Sequence, residues 1–403
     1  MFSLKELETH ALSLLKHIPK SPLLKASWLK DDCYLKCESL NETGSFKIRG
    51  ALSKFLTLTE AEKKNGVVTL SAGNHAQAVS FFARNLGIPA TIVMPVNTPY
   101  EKVERTKRFG QGNTTILFHG ESLFDCEPYV ANLIKQHGFT LIHPYDDPMI
   151  IKGQSSIGVE LIQDLPELNT VIVPVGGGGL CSGIALYLKQ YNPAINVIGV
   201  QTRYAPQFAH YLYPKRFKLD YNETPSTIAE GIAVKNVGKL TGPLLKKYLD
   251  DFILVSEQDI EEAMYDLFTQ AKLTVEGAGA ASVAALKYLP PDTGKTALLV
   301  CGGNLDPKIF SQLLLRALLH RHKIVQLYIP IDDKPGVLAR ISAIIASTGA
   351  NIVQAHHQRL FNVETSKMAD LELTIETRDK DHINEILALL KSEDFVCRMK
   401  EIN

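Results

Sequence analysis

From about residue 66 the chain alternates short, unbroken apolar runs with longer stretches whose apolar residues recur every three or four positions. The runs GVVTL (66–70), ATIVMP (90–95), TTILF (114–118) and FTLIH (139–143) predict strands. So do TVIVPV (170–175), INVIGVQ (195–201), FILVS (252–256) and TALLVCG (296–302). Between them, stretches such as HAQAVSFFARNLG and GVELIQDL have the spacing of helices packed on one side. Strands rich in β-branched residues, separated by helices, are what a parallel sheet covered on both faces requires. The pattern predicts an α/β protein.

Near residue 320 the pattern changes. LLHRHK (318–323) reads as a charged break, followed by a strand VQLYIPI (325–331) and a helix GVLARISAIIASTG (336–349). NIVQAHHQRLF (351–361) and DLELTIET (370–377) alternate as a hairpin pair does. DHINEILALLK (381–391) predicts a helix and FVCRMKEI (395–402) a last strand. The order βαββαβ is that of the ferredoxin-like split unit.

Composition narrows the class. The 403 residues exceed one ordinary core, and two or three domains are expected. Lys plus Arg and Asp plus Glu are both 43, which gives no support for a nucleic-acid or membrane partner. The amphipathic start MFSLKELETHALSLLKH lacks the pattern of a secretory signal, and no apolar run is long enough to span a bilayer. Six scattered cysteines fit reduced thiols in the cytoplasm; Cys33 and Cys37 are close, but no second pair or nearby histidine completes a zinc set.

Four strings could carry chemistry. Just before SFKIRG (45–50), Gly44 offers a tight turn that frees Lys47 to reach a ligand, and Phe46 within it can pack against a flat ring. An isolated SFK is more often a surface lysine beside a core phenylalanine. In SAGNHAQ (71–77), a predicted strand gives way to a predicted helix, whose unsatisfied N–H groups suit a carboxylate. Simple N-capping by Ser71 or Asn74 would explain one residue of that string. GGGGL (176–180) follows the strand TVIVPV and suits close backbone approach to a phosphate. Taken alone that loop leaves a nucleotide and pyridoxal phosphate equally open, although GxGxxG fails. CGGN (301–304) places Cys301 at a carboxyl strand end, where ligands of open α/β sheets collect. A buried cysteine acting as a small apolar group is the ordinary alternative.

Taken in order over residues 15–320, these strings resemble the fold-type II pyridoxal-phosphate enzymes, and within them the threonine/serine ammonia-lyases. HPYDDP (143–148), TIAEGIAV (227–234) and VEGAGA (275–280) support the likeness. The resemblance implies that Lys47 is the Schiff-base lysine and catalytic base, that Phe46 lies against the cofactor ring, and that Asn74 bonds its 3′-oxygen. It implies that Gly176, Gly177, Gly178, Gly179 and Leu180 hold the phosphate and that Cys301 faces the pyridine nitrogen. Ser71, Asn74 and His75 would bracket the substrate carboxylate.

Within that resemblance, two departures point away from serine racemases. Ala72 stands where racemases carry the serine of the opposite face, and Gln201 and Gln207 stand where their divalent-metal acids would fall. No metal site is expected. The tail resembles an ACT regulatory domain through DKPGVLARI (333–341) and GANI (349–352), with Asp333 and Asn351 at the effector-binding positions. The implied organisation is a catalytic domain over 1–320, its smaller subdomain about 47–143 inserted in the larger, and an ACT-like domain over 324–403. The implied activity is deamination of L-threonine to 2-oxobutanoate, with L-serine as a further substrate, in a cytoplasmic homodimer or homotetramer open to allosteric control and to a role in isoleucine biosynthesis. The rival readings are a serine racemase or serine dehydratase, and a non-catalytic amino-acid sensor.

Overall fold

The computed structural model describes residues 1–219, 226–358 and 368–399. The chain divides into two compact units, Met1–Asp306 and Pro307–Asn403.

The first unit holds two sheets. The larger has six strands in the order Leu23–Lys25, Cys33–Cys37, Thr296–Val300, Thr170–Pro174, Asn196–Thr202, Asp251–Val255. Only the first pair is antiparallel. The smaller is fully parallel, in the order Thr114–Phe118, Ala90–Met94, Val67–Leu70, Thr140–Leu141. All eight strands expected from the apolar runs are present, with ends shifted by a few residues. The two N-terminal strands were not expected. CYLKC contains Lys36, which reads as exposed in sequence and is fully buried in the fold.

The smaller sheet shows why its strands lack a polar face. Val67, Ile92 and Met94 join a cluster with Ile48, Leu52, Phe55, Val79 and Phe82 on one side. Val68 and Val93, one residue out of phase, pack with Cys126, Val130 and Leu133 on the other. Strand residues alternate faces, so each face is buried by a different set of helices.

The second unit follows the opposite logic. Its sheet is antiparallel, in the order Asn351–Gln358, Met368–Glu376, Ile324–Asp332, Arg398–Met399. Val325, Leu327, Ile329 and Ile331 are buried on one face with Ile341, Ile345, Ile383, Ile386 and Leu390 from the helices Val337–Ser347 and Lys380–Ser392. This is the βαββαβ order read from the alternation. Parts of the second and last predicted strands, at 359–361 and 400–402, lie outside the described residues. The expected break at 318–323 needs correction: the helix Pro307–His320 runs through Leu318 and Leu319, and the chain turns only after His320, where His322 takes φ 54°.

Candidate active site

The four motifs meet at the carboxyl ends of both sheets of the first unit. The segment before Lys47 is stitched to the segment after the strand Thr296–Val300. Phe46 N–H donates to the Cys301 carbonyl at 3.0 Å, Gly303 N–H to that of Gly44 at 2.8 Å, and Ser45 bridges Gly302. Gly44 takes φ 72°, and a Cβ there would run into the Asn304 amide, so the turn requires glycine for two reasons.

Lys47 opens the helix Lys47–Phe55. Its Nζ donates to the Pro144 carbonyl at 2.7 Å and stands 5.1 Å from the centroid of the Phe46 ring. Desolvation lowers its pKa from 10.5 to about 8, against the weaker pull of Cys301 and Glu276. A substantial fraction of the amine is therefore neutral, and so nucleophilic, near physiological pH.

The Pro144 carbonyl links Lys47 to the tetraglycine loop through the next residue. A Cβ on Gly177 would overlap the Tyr145 ring, and one on Gly179 would lie 2.9 Å from the Tyr145 carbonyl oxygen. Gly178 takes φ 87°. Tyr145 thus excludes a side chain at Gly177 and Gly179, while at Gly178 the positive φ and the Phe208 ring and Thr241 side chain do so. Asp146 accepts N–H bonds from Lys239, Leu240 and Thr241, and Thr241 Oγ1 donates to the Gly177 carbonyl at 2.8 Å. The helix that follows, Gly179–Tyr191, has no side-chain cap, which leaves its first N–H groups as donors at a positive dipole end.

Asn74 opens the helix Asn74–Leu86. Its Nδ2 donates to Glu276 Oε1 at 2.8 Å, and its Oδ1 accepts from Asn304 Nδ2 at 2.8 Å. Ser71 Oγ accepts from Gly73 and Ala76 N–H at 3.3 Å each, although the N-cap itself is Gly73. The His75 ring is buried and bonded to the Ile142 carbonyl at 2.9 Å, and desolvation holds its pKa at about 3. So bonded and neutral, the His75 imidazole is turned away from the role of a cationic partner for a carboxylate. Cys301 Sγ donates to the Ala278 carbonyl at 3.3 Å, and burial pushes the thiol well above its ordinary pKa. Gln201, fully buried, accepts from Phe208 and Ala209 N–H at 3.1 Å each. Among the described residues no group of three His, Cys, Asp or Glu is arranged to hold a metal ion.

Residues 14–302 match the family described as pyridoxal-phosphate dependent enzyme. The chain belongs to that family. Residues 321–399 match the ACT domain. The chain is 39% identical to an L-threonine ammonia-lyase of Thermotoga maritima, over 99% of this chain and 100% of that protein. Among solved structures it resembles maize serine racemase, with TM-score 0.72 and 31% identity over 79% of this chain and 99% of that one. It also resembles the processed form of threonine deaminase isoform 2 from Solanum lycopersicum, with TM-score 0.71 and 30% identity over 78% of this chain and 88% of that one.

The residues present fit the cofactor of this pyridoxal-phosphate enzyme. The uncapped glycine-lined helix start suits a phosphate, the partly neutral Lys47 amine suits a carbonyl, and the neutral Cys301 thiol suits an unprotonated pyridine nitrogen. Sequence reasoning missed Glu276, Asn304 and the Pro144 carbonyl as parts of the site. The first two lie inside the quoted strings VEGAGA and CGGN; a backbone carbonyl leaves no signal in a sequence.

Proposed function

We propose that this enzyme is an L-threonine ammonia-lyase that also accepts L-serine, with Lys47 as both cofactor anchor and catalytic base. The observation that carries the reading is the convergence on the Lys47 amine: Phe46 beneath it, the Pro144–Tyr145 link to the tetraglycine loop, and the Asn74–Glu276 pair. The relatives named above as threonine ammonia-lyase and threonine deaminase support the same substrate.

When bound, pyridoxal phosphate supplies an electron sink that lowers the cost of breaking the Cα–H bond. Gly176, Gly177, Gly178, Gly179 and Leu180 would hold its phosphate, Phe46 would pack on its ring, Asn74 would meet its 3′-oxygen, and Cys301 would lie at its pyridine nitrogen. Ser71, Asn74 and the backbone at His75 orient the substrate carboxylate. Lys47 Nζ, once free of its anchoring role, would take the Cα proton. The Cβ–O bond breaks and the leaving hydroxyl takes up a proton, balancing the one Lys47 Nζ removed from Cα, so that water leaves; the released enamine regains water and yields 2-oxobutanoate and ammonia. Cys301, a neutral thiol, would not hold the cofactor's ring nitrogen protonated, which would favour elimination over racemisation. Ala72 offers no proton on the face opposite Lys47, which weighs against racemisation.

The domain reading extends to control. The catalytic domain is assigned to 1–320, of which the helix Pro307–His320 groups with the second compact unit, with the smaller subdomain about 47–143, and the ACT domain over 324–403 takes an amino-acid effector at Asp333 and Asn351. The holoenzyme is a cytoplasmic homodimer or homotetramer. Among the described residues no helix is long and apolar enough to cross a membrane. The deciding experiment measures ketoacid from L-threonine, L-serine and their D-isomers, with and without branched-chain amino acids. Appreciable D-serine formation, or no ketoacid from L-threonine, rejects the reading.

A further inference from the structure

Glu276 is the N-cap of the helix Gly277–Ala285, yet its side chain makes no cap bond to that helix. It turns instead to Asn74. Room for it is made by a glycine: a Cβ on Gly302 would overlap Glu276 Oε1. The backbone holds the same junction, with Glu276 N–H donating to the Gly302 carbonyl at 3.2 Å.

The hydrogen bonds run in one direction. Asn304 Nδ2 donates to the Thr43 carbonyl at 2.8 Å, and a carbonyl can only accept. That fixes which side of the Asn304 amide carries its donors, and the second donor goes to Asn74 Oδ1 at 2.8 Å. Asn74 must then present its own nitrogen to Glu276, and an amide nitrogen carries two N–H groups. One is used by Glu276; the other remains for an oxygen of the bound cofactor.

We propose that Glu276 is a positioning residue that ends a one-way relay, Thr43–Asn304–Asn74–Glu276, and tunes the remaining Asn74 donor by gaining or losing a proton. The inference rests on the proposed site around Lys47. An ionised Glu276 polarises the Asn74 amide as a strong acceptor, whereas a protonated one accepts weakly. The surroundings put that change within reach of neutral pH. Desolvation raises the Glu276 pKa to about 7, opposed by the Asn74 bond and by Lys102 and Lys47, and reinforced by Glu230. Lys102 is itself paired with Glu230 at 2.5 Å, so those two largely cancel. The Cys301 thiol nearby stays neutral.

The test compares holoenzyme with Glu276→Gln, which keeps an oxygen for Asn74 but cannot ionise, and with Glu276→Asp, which ionises but is too short to reach. Glu276→Gln is expected to bind pyridoxal phosphate stoichiometrically by its visible absorbance. Its kcat should fall roughly tenfold to a hundredfold, as small losses of alignment do, with KM nearly unchanged. The near-neutral step in the pH dependence of that absorbance should vanish in Glu276→Gln and persist, displaced, in Glu276→Asp. A wild-type kcat with the pH step intact in Glu276→Gln overturns the proposal, as does equal loss in both variants with an unchanged step. Infrared difference spectra of wild-type holoenzyme keep it testable if neither variant folds. A protonated-carboxyl band must grow as pH falls through neutrality, and its absence overturns the proposal. Lys47→Ala serves as the separate control. If it keeps turnover, the site reading fails; if it loses turnover while Glu276→Gln behaves as wild type, only this inference fails.

Discussion

Lys47 and Arg49 stand two residues apart on one helix, about 200° around its axis, and the two faces treat a cation in opposite ways. Arg49, 1% exposed, is gripped by two carboxylates. Its Nε donates to Glu38 at 2.7 Å and its Nη1 to Glu160 at 2.5 Å, while Lys36 reaches Glu160 at 2.6 Å. Burial alone would lower its pKa, but Glu38 and Glu160 more than reverse that and raise it. Lys47 has a backbone carbonyl as its hydrogen-bond partner and only the weaker pull of Cys301 and Glu276, so desolvation wins and its pKa falls. The lesson concerns partner count. Two cations balanced by two carboxylates make a fixed charged scaffold, and a cation without a matched carboxylate becomes an amine ready to react.

The comparison breaks first at Lys47. Lys47→Ala is expected to lower turnover at least roughly a thousandfold, because one group serves as anchor and base. Steady-state ketoacid assays and the visible absorbance of the bound cofactor check it. Residual turnover above that level would mean that the reactive face has been misplaced.

The opposite face should show its effect in stability. Arg49→Met leaves Glu38 and Glu160 buried with one remaining cation, Lys36, and is expected to cost about 3–5 kcal/mol in chemical denaturation. The sign with pH follows from Glu38. Burial pushes its carboxyl up, but Arg49 and Lys36 hold it below its ordinary value of 4.5. Its contribution is therefore present above the unfolded value and is lost as pH falls through the folded one. The variant should unfold at higher pH than wild type during acid titration. Equal acid midpoints would show that the cluster does not carry charge into the core.

The same contrast predicts a pH profile for loading the apoenzyme with cofactor. Only the neutral Lys47 amine can react, so the loading rate should fall about tenfold per pH unit below a pKa of about 8 and level off above it. Between that value and 10.5 the unfolded chain holds more protons than the folded one, so apoenzyme stability should rise with pH across this window. A break in the loading rate nearer 10.5 in stopped-flow measurements would place the amine in water.

The scaffold was largely legible in the sequence because periodicity reports burial. Unbroken runs such as TVIVPV marked the parallel strands, and the alternation in VQLYIPI marked the antiparallel sheet of the second unit. The glycines of 176–179 were legible because so much lost chain entropy is tolerated only where the backbone needs it. The Arg49 cluster was not. Lys36, Glu38 and Glu160 carry the residue types of a surface, and only their mutual pairing makes burial affordable. Glu276 and Asn304 were hidden for a related reason: each acts through Asn74, a residue more than 200 positions away in sequence.

The smallest effect is expected where a polar group and its partner are both exposed. Asn351, exposed at the start of the strand Asn351–Gln358, donates from Nδ2 to Glu376 at 3.1 Å. Exposed substitutions of this kind change stability by about 0.5 kcal/mol or less. Asn351→Ala should therefore leave both the denaturation midpoint and the effector-free kcat nearly at wild-type values. If the ACT domain takes an amino acid at Asp333 and Asn351, the variant should still lose part of the effector response, because that ligand must prefer one state by about 1–3 kcal/mol to act at all. Titrating branched-chain amino acids against wild type and Asn351→Ala separates the cases. A weakened response with an unchanged basal rate makes Asn351 a ligand contact. An unchanged response removes it from the effector site and leaves it as an exposed strand end bonded to Glu376.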